Sequence, residues 1–548
     1  MRTLILCSLL LLAFGCQSAP QYDVVIIGGT LIDGTGAAPR DADVAIKDGV
    51  IEEVGDLSGA NAALVIEADG RVVTPGFIDL MGVSSLPLLL DPVTADSKLY
   101  QGITTMMVGE GVSVAPQSEQ TFGASFSEVD GLNVKWERYS EYFQILESNG
   151  VALNVVHNVG AAQVRWIVLG LEDVAPTEEQ LAAMKELVAQ AMEDGAVGLS
   201  TALIYPPGTY ASTEEIIELA KPAAARGGVY FTHMRNESNQ VLEAIDEALA
   251  VGRGAGIPVH IYHLKAAGEE NWPLMELALA KIQEAIDGGM EVTADIYPYI
   301  RNGIGLAYFL HPRHYAQGFE SFLATLSDDA VRARLREEVE QTSDWENWYR
   351  HVGMSWDNVL ISRVGESSDP ELVGLSIHEA GEKRGVDAWD AFFDLVQEGG
   401  CSVNPKSMNE EQKHLAMRAP FVAFANDSIP TNPATGPAWT SAHPRAFGAF
   451  PRVLAKYVRE GNVIPLSEAI RKLTSLPATI LRLEDRGRIE PGLQADVLVF
   501  DPDQIRDTAT FTEPLSYSEG IDFALVNGTL VIENGETTGA RPGHVLRH

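Results

Sequence analysis

Two short β-rich runs, each closing on a histidine, restrict this chain more than any other stretch. GGVYFTHM carries His233, and IPVHIYHLKAAG carries His263. Thirty residues separate the two imidazoles, about the length of one strand–helix–strand unit that returns the chain to the same edge of a parallel sheet. If both runs are parallel strands, the rings emerge at the same end of neighbouring strands, close enough to share one metal ion. A single strand-end histidine is ordinarily a hydrogen-bonded core residue. Two at matching ends of consecutive units shift the reading toward a ligand pair.

The unit repeats. GAVGLST is followed by a helix opening at Ser212 with Glu215 three residues on, the capping-box pattern. VYFTHM comes next, then a helix from about Ser238 that places Leu242, Ile245 and Leu249 on one face; PVHIYHL, the run Pro273 to Asp287 and EVTADIYPY follow. Four strands at about 30-residue intervals with helical periodicity between them predict a parallel α/β barrel, with a doubly wound open sheet as the competing architecture. From about His311 to Trp356 the repeat gives way to a Trp- and charge-rich segment, read as an insertion over the barrel mouth. It resumes with NVLISRV and ends with APFVAFANDS.

Both chain ends read differently. Residues 22–75 contain DVVIIGGTLI, ADVAIKDGVIEEVG and ALVIEADGRVV, punctuated by Asp48-Gly49 and Asp69-Gly70, which read as hairpins. DVVIIGG imitates a dinucleotide-binding start, but no third glycine opens a helix and Thr30-Leu31-Ile32 continues as strand. Residues 481–548 have the same character, with tight turns at Asn527-Gly528 and Asn534-Gly535. The two ends are expected to complete one small β-sandwich beside a barrel spanning 76–480.

At 548 residues the chain has room for such a barrel and its accessory modules. Its formal charge is −37, from 39 Lys+Arg against 76 Asp+Glu, which argues against a nucleic-acid partner. An anionic small substrate is still compatible, because a local cationic pocket outweighs a distant, screened surface. MRTLILCSLLLLAFGCQSAP reads as a lipoprotein-type signal peptide over residues 1–16, leaving Cys16 lipidated. That predicts export and a lipid anchor in the membrane, in the periplasm or on the outer membrane of a bacterium. With Cys7 removed and Cys16 modified, Cys401 alone remains, so no internal disulfide is expected.

VVTPGFIDL, QGITTMMVGEG, GLSTALIYPPGTYAS, YFTHMRNES, IPVHIYHLKAAG, HPRAFGAFPRVLAKYVRE and LTSLPATILRLEDRGRIEPGLQADVLVFDP resemble, in order, segments of the N-acyl-D-amino-acid deacylases, the D-aminoacylase branch of the amidohydrolase superfamily. The resemblance implies a metal-bearing (β/α)8 barrel flanked by a β-sandwich, and hydrolysis of the amide between an acyl group and a D-amino acid. It implies that His233 and His263 bind zinc and that Asp427, in FANDS, transfers protons. That division of labour is sound chemistry, since zinc lowers the pKa of its water and a carboxylate at the mouth can take the proton and pass it on.

Two departures from the family pattern follow. Its His-x-His pair after GFIDL is replaced by Met81 and Val83, and its cysteine in a Gly-Asn-Cys-Gly run by Glu110 in VGEG. The most economical site is therefore one zinc per chain on Glu110, His233 and His263, with water in the fourth position. Lys265, two positions after His263, and Arg445 in HPRAFG are candidate anchors for a substrate carboxylate. Each could equally sit in a structural ion pair. Tyr205 is a candidate pocket wall, and His443 and His157 are weaker candidates for the mouth. Two other readings stand beside the acyl-amino-acid amidase: a degenerate barrel that binds acylated amino acids or peptides without cleaving them, and a related hydrolase of cyclic amides, dipeptides or esters.

Overall fold

The computed structural model describes residues 20–126, 129, 131–315, 318–341, 345–436 and 442–548, so the signal segment and Cys16 lie outside the described residues. Eight short strands share one direction: β1 (Phe77–Asp79), β2 (Ile103–Val108), β3 (Asn154–His157), β4 (Gly198–Ala202), β5 (Val229–His233), β6 (Val259–Ile261), β7 (Val292–Ile296) and β8 (Val422–Phe424). Neighbours pair in parallel register, β1 with β2 with β3, and β4 through β8 in sequence. Val159 and Gly160, continuing from β3, pair with Leu199 and Ser200 of β4 and join the two arcs. At the other seam Ser428 N donates to Met81 O at 3.2 Å and Asn426 N to Asp79 Oδ1 at 2.9 Å, tying the end of β8 to β1. Strand order therefore follows chain order around the ring. A doubly wound sheet would reverse it at a switch point.

The intervening helices cover the strands, which are buried on both faces as apolar runs. The helix Thr213–Ala224 starts as expected, Ser212 Oγ accepting from Glu215 N at 3.2 Å, a cap worth about 1 kcal/mol. The reciprocal half of the box does not form, because the Glu215 carboxylate pairs instead with the buried Arg165 at 2.6 Å. The next helix, Val241–Ala255, begins three residues later than Ser238 and buries Val241, Ala244, Ile245, Ala248 and Leu249; Leu242 sits at the margin of that face.

The chain ends meet in one sheet. Val497–Phe500 runs antiparallel to Val72–Pro75 inside a seven-stranded sheet, and a four-stranded sheet containing Tyr22–Ile27 packs on it through Ile26, Val44, Ile46, Val73, Val497 and Val499. Asp48-Gly49, Asn527-Gly528 and Asn534-Gly535 all take positive φ at both residues and close antiparallel hairpins. Asp69-Gly70 does not. It links Ala62–Glu67 of the four-stranded sheet to Val72–Pro75 of the seven-stranded one, and so crosses between layers.

The insertion is larger than the sequence reading gave. NVLISRV does not resume the barrel: Val359–Arg363 pairs antiparallel with Ser402–Pro405, which also pairs antiparallel with Ile304–Gly305. These strands and the segments between them enclose a separate core that includes Leu306, Phe309, Trp356, Phe392 and Val403. A run of alternating apolar residues shows that a strand forms, not which sheet receives it. The inserted module therefore spans Ile304 to Pro405 between β7 and the helix Glu410–Arg418 that leads into β8.

Candidate metal centre and active site

Three side chains able to ligate a metal converge at the carboxyl ends of β2, β5 and the segment after β6. Glu110 sits in the tight turn that ends β2, between Gly109 (φ +106°) and Gly111 (φ +63°). A Cβ on Gly109 would lie 2.6 Å from Asn158 O, and one on Gly111 2.5 Å from Ala202 Cβ, so only glycine lets the turn press against β3 and β4. The Ser200 hydroxyl staples it, donating to Gly109 O and accepting from Gly111 N at 2.9 Å. His233 is the last residue of β5. His263 holds an uncommon φ of +33°, fixed by Asp295 of β7, whose Oδ1 accepts from His263 N at 2.7 Å while Oδ2 lies 2.8 Å from His260 Nε2.

Glu110 Oε1 lies 2.9 Å from His233 Nδ1 and 3.4 Å from His263 Nε2, and one donor atom from each of the three residues falls within 4.8 Å of the others. Two donors bonded to a tetrahedral zinc at 2.0–2.1 Å stand about 3.3 Å apart, so this donor set fits a single zinc ion. Although burial opposes it, hydrogen bonds from His233 and His263 and their charge hold the Glu110 carboxyl well below the usual carboxylate range.

Behind both rings stands Glu237, which the sequence reading did not single out. Its Oε2 is 3.4 Å from His233 Nε2 and its Oε1 2.9 Å from His263 Nδ1, the position of a carboxylate that orients metal-binding imidazoles. Lys265 Nζ donates to Glu237 Oε2 at 2.5 Å and also lies 2.9 Å from His263 Nδ1. Ammonium and carboxylate thus compete for that nitrogen. Were His263 to hold a metal through Nε2, Nδ1 would carry the proton and donate to Glu237.

Opposite the ligands, Asp427 follows β8 at φ +54°, with Arg445 Nη1 2.6 Å from its Oδ2. Burial raises the Asp427 carboxyl above its ordinary value, and the guanidinium only partly opposes this. The residues on either side of Asp427 are clamped from below. The fully buried Lys98 Nζ donates to Asn426 Oδ1 and Ser428 O, each at 2.7 Å, and to Asp79 Oδ2 at 3.0 Å. Arg445 lies 4.7 Å from the centre of the Tyr297 ring, and its Nε has no hydrogen-bond partner.

A cavity of about 170 Å³ is lined by Glu110, His233, His263, Lys265, Asp427, Arg445 and Tyr205, together with Glu237, Tyr297 and Trp348. A wider groove of about 1170 Å³, along Phe122, Trp136 and Glu141, holds none of these groups. Lys265 and Arg445 both face the cavity, yet each already has a carboxylate partner. His443 does not line it; its Nδ1 accepts from Arg445 N at 2.9 Å. Nor does His157, which is buried among Tyr139, Tyr142 and Phe143 with Nε2 2.9 Å from Ser85 Oγ. Met81 packs in the barrel interior with Ile78, Val156 and Phe231, while Val83 lines the cavity. Neither offers a side-chain donor to a hard cation.

The comparisons with known proteins agree with this chemistry. A profile of the Amidohydrolase family matches residues 415–532. The D-aminoacylase of Alcaligenes xylosoxydans xylosoxydans is 32% identical over 540 residues, 97% of this chain and 99% of that protein. The N-acyl-D-glutamate deacylase of the same organism is 34% identical over 528 residues, 96% and 97% of the two chains. The crystal structure of N-acyl-D-glutamate deacylase from Bordetella bronchiseptica, complexed with zinc and a phosphonate inhibitor that mimics the tetrahedral intermediate, matches with a TM-score of 0.80 at 33% identity over 96% of this chain and 100% of the other. Barrel, flanking sandwich and clustered ligands define a metal-dependent hydrolase of the amidohydrolase superfamily. Within that class, the chain belongs to the D-aminoacylase family.

Proposed function

We propose that the protein hydrolyses the amide bond of N-acyl-D-amino acids with one zinc ion per chain, releasing a carboxylate and the free amino acid. The observation that carries this reading is the convergence of Glu110, His233 and His263 on one point, with Asp427 across the same small cavity. A zinc ion held there supplies Lewis acidity toward the scissile carbonyl and the attacking water. Asp427 accepts the proton of that water on a carboxylate oxygen and delivers it to the departing amine nitrogen. Arg445 keeps the carboxylate oriented through Nη1 and lines the same cavity, so its guanidinium charge faces the α-carboxylate of the substrate. Lys265 is committed to Glu237, so it acts on the histidines through that carboxylate and adds positive charge to the cavity wall. Tyr205, whose ring stacks edge-on to His233 with centroids 5.5 Å apart, walls the metal side.

The test is zinc per chain together with amine release from N-acetyl-D-amino acids and their L-enantiomers. About one zinc and hydrolysis of the D-series support the reading; a zinc-loaded protein that cleaves neither series overturns it. We also propose that residues 1–16 direct export and that Cys16 carries the lipid anchor, on the sequence of that segment alone. Cys16→Ser should then move the protein from the membrane to the soluble fraction; unchanged membrane recovery counts against the anchor.

A further inference from the structure

We infer that this enzyme selects acyl-D-amino acids with a neutral, largely apolar side chain and discriminates against acidic ones of the glutamate and aspartate kind. The inference rests on the function proposed above and concerns which substrates that site accepts. It begins with the cations. Lys265 and Glu237, each 2% exposed at the side chain, pair at 2.5 Å, and Arg445 pairs with Asp427 at 2.6 Å. Among the described residues, no other lysine or arginine lines the cavity. The internal residues not described, 127, 128, 130, 316, 317, 342–344 and 437–441, include no lysine or arginine either, so none is hidden in those segments.

Formal charge then limits the substrate. Three carboxylates (Glu110, Glu237 and Asp427), two side-chain cations and a dipositive metal leave a single positive charge, which one substrate carboxylate cancels. A second carboxylate on the substrate would enter a cavity walled mostly by buried side chains as an unpaired charge, which is strongly unfavourable. Apart from the uncharged polar Asn302 and Ser428, the rest of the wall matches an apolar group. Val83, Tyr205, Ile304, Tyr297 and Trp348 face the cavity, and Ile304 and Trp348 come from the inserted module rather than from the barrel. Tyr205 is itself packed edge-on against Tyr308 with centroids 5.1 Å apart, extending the aromatic corner outward. Lys413 is the nearby cation that needs accounting for. Its ammonium lies 4.5 Å from the centre of the Tyr297 ring, has no hydrogen-bond partner and does not line the cavity.

The experiment measures kcat/KM of the zinc-loaded, full-length enzyme for N-acetyl-D-methionine, -leucine and -phenylalanine against N-acetyl-D-glutamate and -aspartate at fixed salt. Calorimetric binding of the same compounds with a methylene in place of the amide N–H, which cannot be hydrolysed, supplies a readout that does not depend on turnover and leaves the Asp427 charge in place. The expected result is a preference of about 100-fold or more for the neutral series in kcat/KM, matched by tighter binding. Ile304→Lys, which places a cation on the module side of the cavity, should reduce that preference by about tenfold or more. Acidic substrates processed within about threefold of the neutral ones, or better, overturn the inference, and loss of that activity in Lys413→Met would identify the cation responsible. If the zinc-loaded enzyme cleaves neither series, the proposed function itself fails, an outcome distinct from a reversed preference.

Discussion

Asp427 illustrates how much of this site depends on single side chains held in unfavourable places. An aspartate tolerates φ near +54° better than most residues, and here Arg445 from one side and the Lys98 clamp from below keep it there. The proton-accepting role proposed for it requires the ionised carboxylate. Because burial raises its pKa, activity should fall as pH drops through a midpoint above the ordinary carboxylate value of about 3.9. Asp427→Asn should abolish that acid limb and lower kcat by about 10²–10⁴-fold. Arg445→Met removes the charge that opposes the rise, so the limb should move to higher pH while KM increases; pH–rate profiles of the three proteins check both signs. At the metal, Glu110→Ala should lose zinc on dialysis. Glu110→Cys should retain it, because a thiolate is also a zinc ligand, and metal analysis of the two variants separates ligand from bystander.

At the scale of an element, the turn after β2 is the part that can least be changed. Gly111→Ala would add a Cβ 2.5 Å from Ala202 Cβ on a backbone already at φ +63°. The expected cost is about 1–3 kcal/mol or more in denaturant unfolding, with weakened zinc affinity because Glu110 moves with the turn. An unchanged midpoint and unchanged metal affinity would contradict this account. The buried Lys98–Asp79 pair is the counterpart beneath β8 and β1. Lys98→Met leaves Asp79 buried without its cation, and breaking such a pair costs about 3–5 kcal/mol, measurable by the same unfolding experiment.

At the scale of the whole molecule, distant parts of the chain complete one another. Val545 and Leu546 leave the sandwich and run parallel to β3, with Val155 N donating to His544 O at 2.9 Å and His548 N to Gly195 O at 3.2 Å at the base of the barrel. Deleting residues 541–548 should expose that edge and lower the melting temperature by at least about 2 °C. The zinc content should be unaffected, since the cavity lies at the opposite ends of the strands. Calorimetry with metal analysis reads both. The inserted module makes the same point functionally, because a barrel without it would lack Ile304 and Trp348 as cavity walls.

Periodicity made the alternating strands and helices legible, and positive-φ turn chemistry identified Asp48-Gly49, Asn527-Gly528 and Asn534-Gly535, because these signals are local and each residue carries its own. The spacing of His233 and His263 placed two imidazoles on adjacent strands for the same reason. Glu237 carried a weaker local signal, an acid four residues after a ligand histidine, which the ring-orienting role explains only afterwards. Lys98 carried none: its partners Asn426 and Ser428 lie more than 300 residues away in sequence, and a buried lysine looks in the text like any surface one. The same holds for NVLISRV, whose alternation fixes a strand while its partner in space fixes the sheet. Sequence alone thus determined the parts and the chemistry each could perform. Tertiary structure decided which parts meet, which cations are already neutralised and how much room remains for a substrate, since charge pairing and enclosure are properties of distances between residues rather than of the residues themselves.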